Sequence, residues 1–134
     1  MNGIKPCARI IIAAGGGCML LGVILGAFAA HALKLWIPQN LFNAFQTGVH
    51  YQIYHGLGLI LLGIIIEIFP VTPLLRWSAG LMLGGIVLFS GSLYALAMTE
   101  IKIFGAITPL GGSLLIISWL LFSLGILKIR DFQK

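Results

Sequence analysis

The sequence predicts an all-α, polytopic membrane protein with four transmembrane helices and a short amphipathic interfacial helix between helices one and two. Three observations carry this. Ile10–Leu33, Val49–Ile66, Trp77–Met98 and Ile103–Leu127 contain no Asp, Glu, Lys or Arg, and at about 1.5 Å per residue each covers a hydrocarbon core of roughly 30 Å. Charged residues make up 8% of the chain and hydrophobic ones 60%, with a mean hydropathy of +1.10, whereas soluble domains carry about 25% charge. The segments between the apolar runs are too short for a domain of their own. The chain therefore reads as one transmembrane domain over 1–134, with spans of about 10–33, 49–67, 77–98 and 103–127.

Met1 to Arg9 form a short basic tail. Lys5, Arg9 and the small-x-small Ala27-Phe28-Ala29 imitate a signal peptide, but the apolar run up to Phe28 exceeds a signal core of about 7–15 residues, so a retained helix is expected. Within it, Ala14, Cys18, Gly22, Gly26 and Ala30 recur every four residues. Small residues let helix backbones approach where lipid gives no hydrophobic drive to associate, so this row, centred on Gly22 and Gly26, is expected to face a partner helix. That partner belongs either to the same chain or to a second copy. Cys7 and Cys18 are about 16 Å apart along a helix, beyond disulfide reach.

After Pro38 the pattern changes. Leu41, Phe42, Ala44 and Phe45 gather on one side, and Gln39, Asn40, Asn43, Gln46 and Thr47 on the other. This is the expected interfacial helix, with Trp36 at its entry. Gly48 is either a bend into the second span or a point through which the helix continues. Pro70 and Pro73 stop the second helix and turn the chain. Gly80 and Gly84 stand at packing spacing in the third. The fourth starts in one of two ways. Thr108-Pro109 reads as an N-cap and first helical residue, the favoured reading; otherwise the helix begins near Ile103 and Pro109 kinks it.

Four spans put both termini and the second connection on one side. That side holds Lys5, Arg9, Arg76, Lys128, Arg130 and Lys134, against Lys34 and Lys102 opposite. Six against two predicts cytoplasmic termini in a bacterial inner membrane. The net charge of +5 does not point to nucleic acid, because the basic residues are scattered at span ends with no aromatic interleaving. The expected partners are the lipid bilayer and a second copy or another membrane protein.

This topology gathers polar residues in the outer leaflet: His31 from helix one, His50, Tyr51, Tyr54 and His55 from helix two, Ser90, Ser92 and Tyr94 from helix three, and Thr108 from helix four. The inner halves have little beyond serines. His31, His50, Tyr51, His55, Ser90, Tyr94 and Thr108 are accordingly the candidate ligand-binding set, with His31 and His55 expected inside the bundle near Ser90 or Tyr94. An imidazole turned to lipid would leave a donor and an acceptor unsatisfied, at a cost of about a few kcal/mol.

Gly26-Ala27-Phe28-Ala29-Ala30-His31-Ala32-Leu33, Thr47-Gly48-Val49-His50-Tyr51-Gln52-Ile53-Tyr54-His55, Leu88-Phe89-Ser90-Gly91-Ser92-Leu93-Tyr94 and Ile107-Thr108-Pro109-Leu110-Gly111-Gly112 resemble the YgdD-like family. These are small four-helix membrane proteins of unknown function from bacterial inner membranes, with eukaryotic relatives of the transmembrane protein 256 type. Ala29 departs from the pattern, which usually has Gly there. The resemblance implies localisation and topology but no activity.

The chemistry is sparse. His50 and His55 are turned about 140° apart on one helix and cannot share a metal. His31 and His55, from neighbouring helices, can hold an ion or haem iron between them; the plainer reading is neutral histidines bonded to carbonyls, tyrosines or serines across helices. Glu67 sits at the inner interface, where Arg76 across the turn is its expected partner. There is no G-x-S-x-G, H-E-x-x-H or G-x-x-x-x-G-K signature. The leading expectation is a non-enzymatic accessory or assembly subunit, or a binder of a lipid-like ligand at the outer face, with no cofactor. The alternative is a redox component using His31 and His55 as haem or metal ligands.

Overall fold

The computed structural model describes residues 3–70 and 72–129. Four antiparallel helices follow in chain order: α1 (Pro6–His31), α2 (Gln39–Ile68), α3 (Pro73–Thr99) and α4 (Ile103–Leu127). All four are long and apolar enough to cross a membrane. Pro6 and Pro73 open α1 and α3, where a missing N–H costs nothing, and Thr72 caps α3 by accepting the Leu75 N–H at 3.3 Å. The end carrying both outer helix tips and the α2–α3 turn is here the terminal end; the opposite one, with the α1–α2 and α3–α4 connections, is the far end. Arg130 and Lys134, two of the six basic residues counted for the terminal side, lie outside the described residues.

Helices pack in chain order, α1 on α2, α2 on α3 and α3 on α4. Half of the most apolar window of α2 is buried, but only 11% of that of α1, so α2 is central and α1 peripheral. A cluster around Leu59, Leu62, Ile66, Leu75, Met82 and Leu115 fills the terminal half. A second, around Ala29, Leu33, Phe42, Phe45, Val49 and Ala97, fills the far half.

The close-packing row differs from the one spacing predicts. The buried residues of α1 are Ala8, Gly15, Gly22 and Ala29, every seventh residue. They lie along a matching repeat in α2, where Val49, Gly56 and Gly63 alternate with Gln52, Leu59 and Ile66, the 3.5-residue period of a left-handed seam. A Cβ on Gly15 would stand 2.7 Å from the Gly56 carbonyl oxygen, and one on Gly22 2.7 Å from Ile53. Gly22 thus packs as expected, but Gly26 only grazes Val49, at 3.4 Å, and Ala30 is exposed. A four-residue row drifts quickly around the helix and suits a steeply crossing neighbour, whereas the seven-residue row stays with one that runs nearly alongside.

In α3, the expected packing pair is likewise displaced. Gly80 has open space around it and Gly84 meets only Leu114, at 3.9 Å. Gly85 makes the close approach instead, a Cβ there standing 2.5 Å from Leu115. Ser78, Gly85 and Ser92, all buried, mark the α3 side of this seam, and Gly111, Ser118 and Gly125 the α4 side, again seven residues apart.

Two expected boundaries are corrected. The amphipathic stretch after Pro38 is no separate interfacial helix. It forms the first turns of a continuous 30-residue α2, because Phe42, Phe45 and Gly48 bury against the bundle and leave no reason to bend. The α1–α2 connection is instead a 3-10 turn at Leu33–Leu35 with Trp36 exposed. Likewise α4 starts at Ile103, with Pro109 inside it. The Thr108 hydroxyl bonds back to the Phe104 carbonyl at 3.2 Å, so it does not cap. Pro109 has no N–H to give the Gly105 carbonyl, so the helix continues through it one bond short.

Candidate functional site

The polar residues expected in one leaflet divide into two groups, one inside the bundle and one on its surface. The inner group centres on Gln52, which lies outside the candidate ligand-binding set. It is 5% exposed. Its Nε2 donates to the Cys18 carbonyl of α1 at 2.8 Å, and its Oε1 accepts from the Tyr94 hydroxyl of α3 at 2.9 Å. One amide therefore ties three helices. Four residues earlier on α2, the Gly48 carbonyl accepts the Ser90 hydroxyl at 2.7 Å, and the bare Gly48 admits the Tyr94 ring, which a Cβ would meet at 2.8 Å. Ser92 shares a hydrogen bond of 2.8 Å with Thr108 of α4. Of the candidate set, Ser90, Tyr94 and Thr108 thus serve as interhelical staples.

His55 is the one buried histidine, 7% exposed. Its Nδ1 lies 2.7 Å from the Tyr51 carbonyl. A carbonyl only accepts, so Nδ1 is the donor in this contact. The ring stacks on Tyr51 at 5.7 Å and lies 6.1 Å from Trp119 of α4, while Tyr51 rests on Phe89 at 4.5 Å. Neither Ser90 nor Tyr94 is its hydrogen-bond partner.

His31 does not join it. The residue is exposed in the last turn of α1, and α1 lies along the Gly56–Gly63 side of α2, whereas His55 abuts Trp119 on α4. The expected placement of His31 inside the bundle is therefore incorrect, and with it the bridging of one ion by His31 and His55. The physical reason is the terminus: the far end lets an imidazole reach water or head groups, so burial is not needed to satisfy it. Among the described residues no group of three or more His, Cys, Asp or Glu converges. His50 is exposed and stacks on Tyr54 at 6.2 Å; Tyr51 and Tyr54 are 40% and 60% exposed.

The terminal half has a polar feature of its own. Ser78 and Ser118, both fully buried, exchange hydroxyl-to-carbonyl bonds of 2.9 and 2.8 Å between α3 and α4. Lys5 ties the start of α1 to the end of α2: its ammonium donates to the carbonyls of Ile66, Glu67 and Phe69 at 2.9, 2.7 and 3.2 Å, closing groups the helix cannot satisfy itself. Its backbone N–H donates to Glu67 Oε2 at 2.9 Å. The partner of Glu67 is therefore Lys5 rather than the expected Arg76, because the chain entering α1 reaches the carboxylate first.

Helices of this length, packed through glycine seams and buried hydroxyl and amide staples, define a polytopic membrane protein. The family described as "Protein of unknown function (DUF423)" matches residues 25–112. A UPF0382 membrane protein of Staphylococcus haemolyticus is 41% identical over 120 residues, covering 90% of this chain and 97% of its own. The UPF0382 membrane protein YwdK of Bacillus subtilis is 43% identical over 120 residues, covering 90% and 98%. The chain belongs to this DUF423 (UPF0382) family of membrane proteins. No solved structure matches it.

Proposed function

We propose that this protein is a non-enzymatic membrane module, an accessory or assembly subunit that docks against a second copy or another membrane protein through the exposed His50–Tyr54 rim of α2. One observation carries the reading. Every buried side-chain polar atom among the described residues already has a hydrogen-bond partner within the chain, so the inner group is committed to holding helices together. What the far end still presents is a stacked imidazole and phenol on the surface of the central helix, and aromatic residues with one polar tip suit both contact surfaces and membrane interfaces. This reading requires no cofactor.

The six-to-two basic count supports cytoplasmic termini in a bacterial inner membrane, and the four linked motifs support a common family with the YgdD-like proteins and their eukaryotic relatives. A reporter fused after Lys134 is expected to read cytoplasmic.

The docking reading is tested with a photo-crosslinking amino acid at Tyr54 of the full chain in native membranes. One discrete adduct to a polypeptide is expected, absent when the same group stands at the lipid-facing Leu21. Lipid adducts alone at both positions, or a haem absorbance band in the purified protein, would overturn it.

A further inference from the structure

We infer a second, separate site: a groove between α1 and α3 at the terminal end that seats one acyl chain of an anionic phospholipid, with Arg76 on its phosphate. The groove arises because α1 follows α2 through its glycine seam and leaves α3. Leu59 of α2 forms its floor, Ile10 and Ala14 of α1 one wall, and Gly80 and Leu83 of α3 the other, enclosing about 250 Å³. That is below the roughly 300 Å³ at which pockets for drug-sized ligands begin and suits a single alkyl chain.

Direction and charge select the ligand. From Arg76 to Leu83 the groove runs along α3 for about 10 Å, parallel to the helix axes and so to lipid tails. Its lining is apolar except at the terminal mouth, where Arg76 stands in the first turns of α3, at the depth of head groups. Lys5 is committed to α2 carbonyls and the Glu67 carboxylate accepts from the Lys5 amide. The exposed guanidinium of Arg76 is thus the charge at this mouth, and its planar fork matches a phosphate. The groove is open where a Cβ on Gly80 would meet nothing within 4 Å, which gives a clean way to fill it.

The full chain is reconstituted in nanodiscs of equal phosphatidylglycerol and phosphatidylcholine, released into mild detergent and weighed by native mass spectrometry. One retained phosphatidylglycerol per chain is expected. Arg76→Gln should lower retention about fivefold, the effect of one basic residue near an anionic surface. Gly80→Leu should abolish it, and Gly16→Leu, equally open on α1 but on the side of the helix turned away from Ile10 and Ala14, should leave it unchanged. Thermal melts confirm that each variant is folded; should Gly80→Leu not fold, Gly80→Val and Leu83→Trp take its place. Equal retention of the two lipids, retention unaffected by filling the groove, or a second chain in place of lipid overturns the inference. None of these outcomes involves Tyr54, so the docking reading stands or falls separately.

Discussion

The far and terminal halves of this molecule solve one problem differently. Lipid tails are as apolar as leucine, so burying leucine against leucine gives helices little reason to associate there. The far half answers with polar staples: Gln52 between Cys18 and Tyr94, Ser90 on Gly48, Ser92 on Thr108. The terminal half relies on shape, with Leu59, Leu62, Ile66, Leu75 and Met82 interlocked, and among the described residues adds the Ser78–Ser118 pair and the Lys5 clasp. Glycine seams run through both. Close backbone approach is therefore the common requirement, and polar bonding is the local addition.

The seams should give the largest effect. A Cβ at Gly111 would lie 2.7 Å from the Phe89 Cα and against its backbone nitrogen; backbone cannot step aside as a side-chain tip can. Gly111→Ala is expected to cost about 3 kcal/mol, read as a lowered unfolding midpoint in detergent. Gly80→Ala, in open space, should cost nothing or stabilise by about 0.5–1 kcal/mol through helix propensity. Equal losses would mean that the α3–α4 seam is not where the packing places it.

Next come the staples. Gln52→Leu removes both bonds and leaves the Tyr94 hydroxyl without its acceptor, for an expected loss of about 1.5 kcal/mol. Tyr94→Phe in the Gln52→Leu background should then cost much less than in the wild type, a double-mutant coupling of about 0.6 kcal/mol or more. Additive losses would separate the two side chains. In the terminal half, Lys5→Met keeps the aliphatic stem and removes the ammonium from three carbonyls. About 1 kcal/mol should be lost, and the α1 amides nearest Pro6 should exchange faster than those around Gly22.

The four helices were legible because charge-free runs of this length have one physical outcome in lipid. The seams were harder to see. Ala8, Gly15, Gly22 and Ala29 stand in plain view at seven-residue spacing, yet Gly22 and Gly26 form a more familiar motif, and composition does not say which row a neighbour follows. Gln52 carries the only amide of the run 49–67, a signal as strong as the histidines on either side of it. Its role depended on which face of α2 met α1 and α3, and that is decided by the seams. The partner of Glu67 was illegible for another reason: Lys5 and Glu67 are 62 residues apart and meet only once α1 lies antiparallel along α2. The start of α4 turned on whether Thr108 faces a neighbour. Its hydroxyl bonds Ser92 on α3 and the Phe104 carbonyl one turn back, and neither bond can be read from the Thr-Pro pair itself.

The smallest expected effect concerns the two histidines that the sequence paired and the structure separates. His55 is buried between Tyr51 and Trp119 with Nδ1 on a carbonyl, so His55→Ala opens a cavity and frees an acceptor, for about 1 kcal/mol. His31 is exposed at the last turn of α1, where substitutions stay within about 0.5 kcal/mol. His31→Ala should therefore melt with the wild type, and the two changes should add without coupling, since His31 is exposed at the tip of α1 and His55 is buried between Tyr51 and Trp119. A loss at His31 equal to that at His55, or non-additivity of the pair, would bring α1 across to the α4 side of α2. That would contradict the Gly15, Gly22 and Gly63 contacts that hold it on the other.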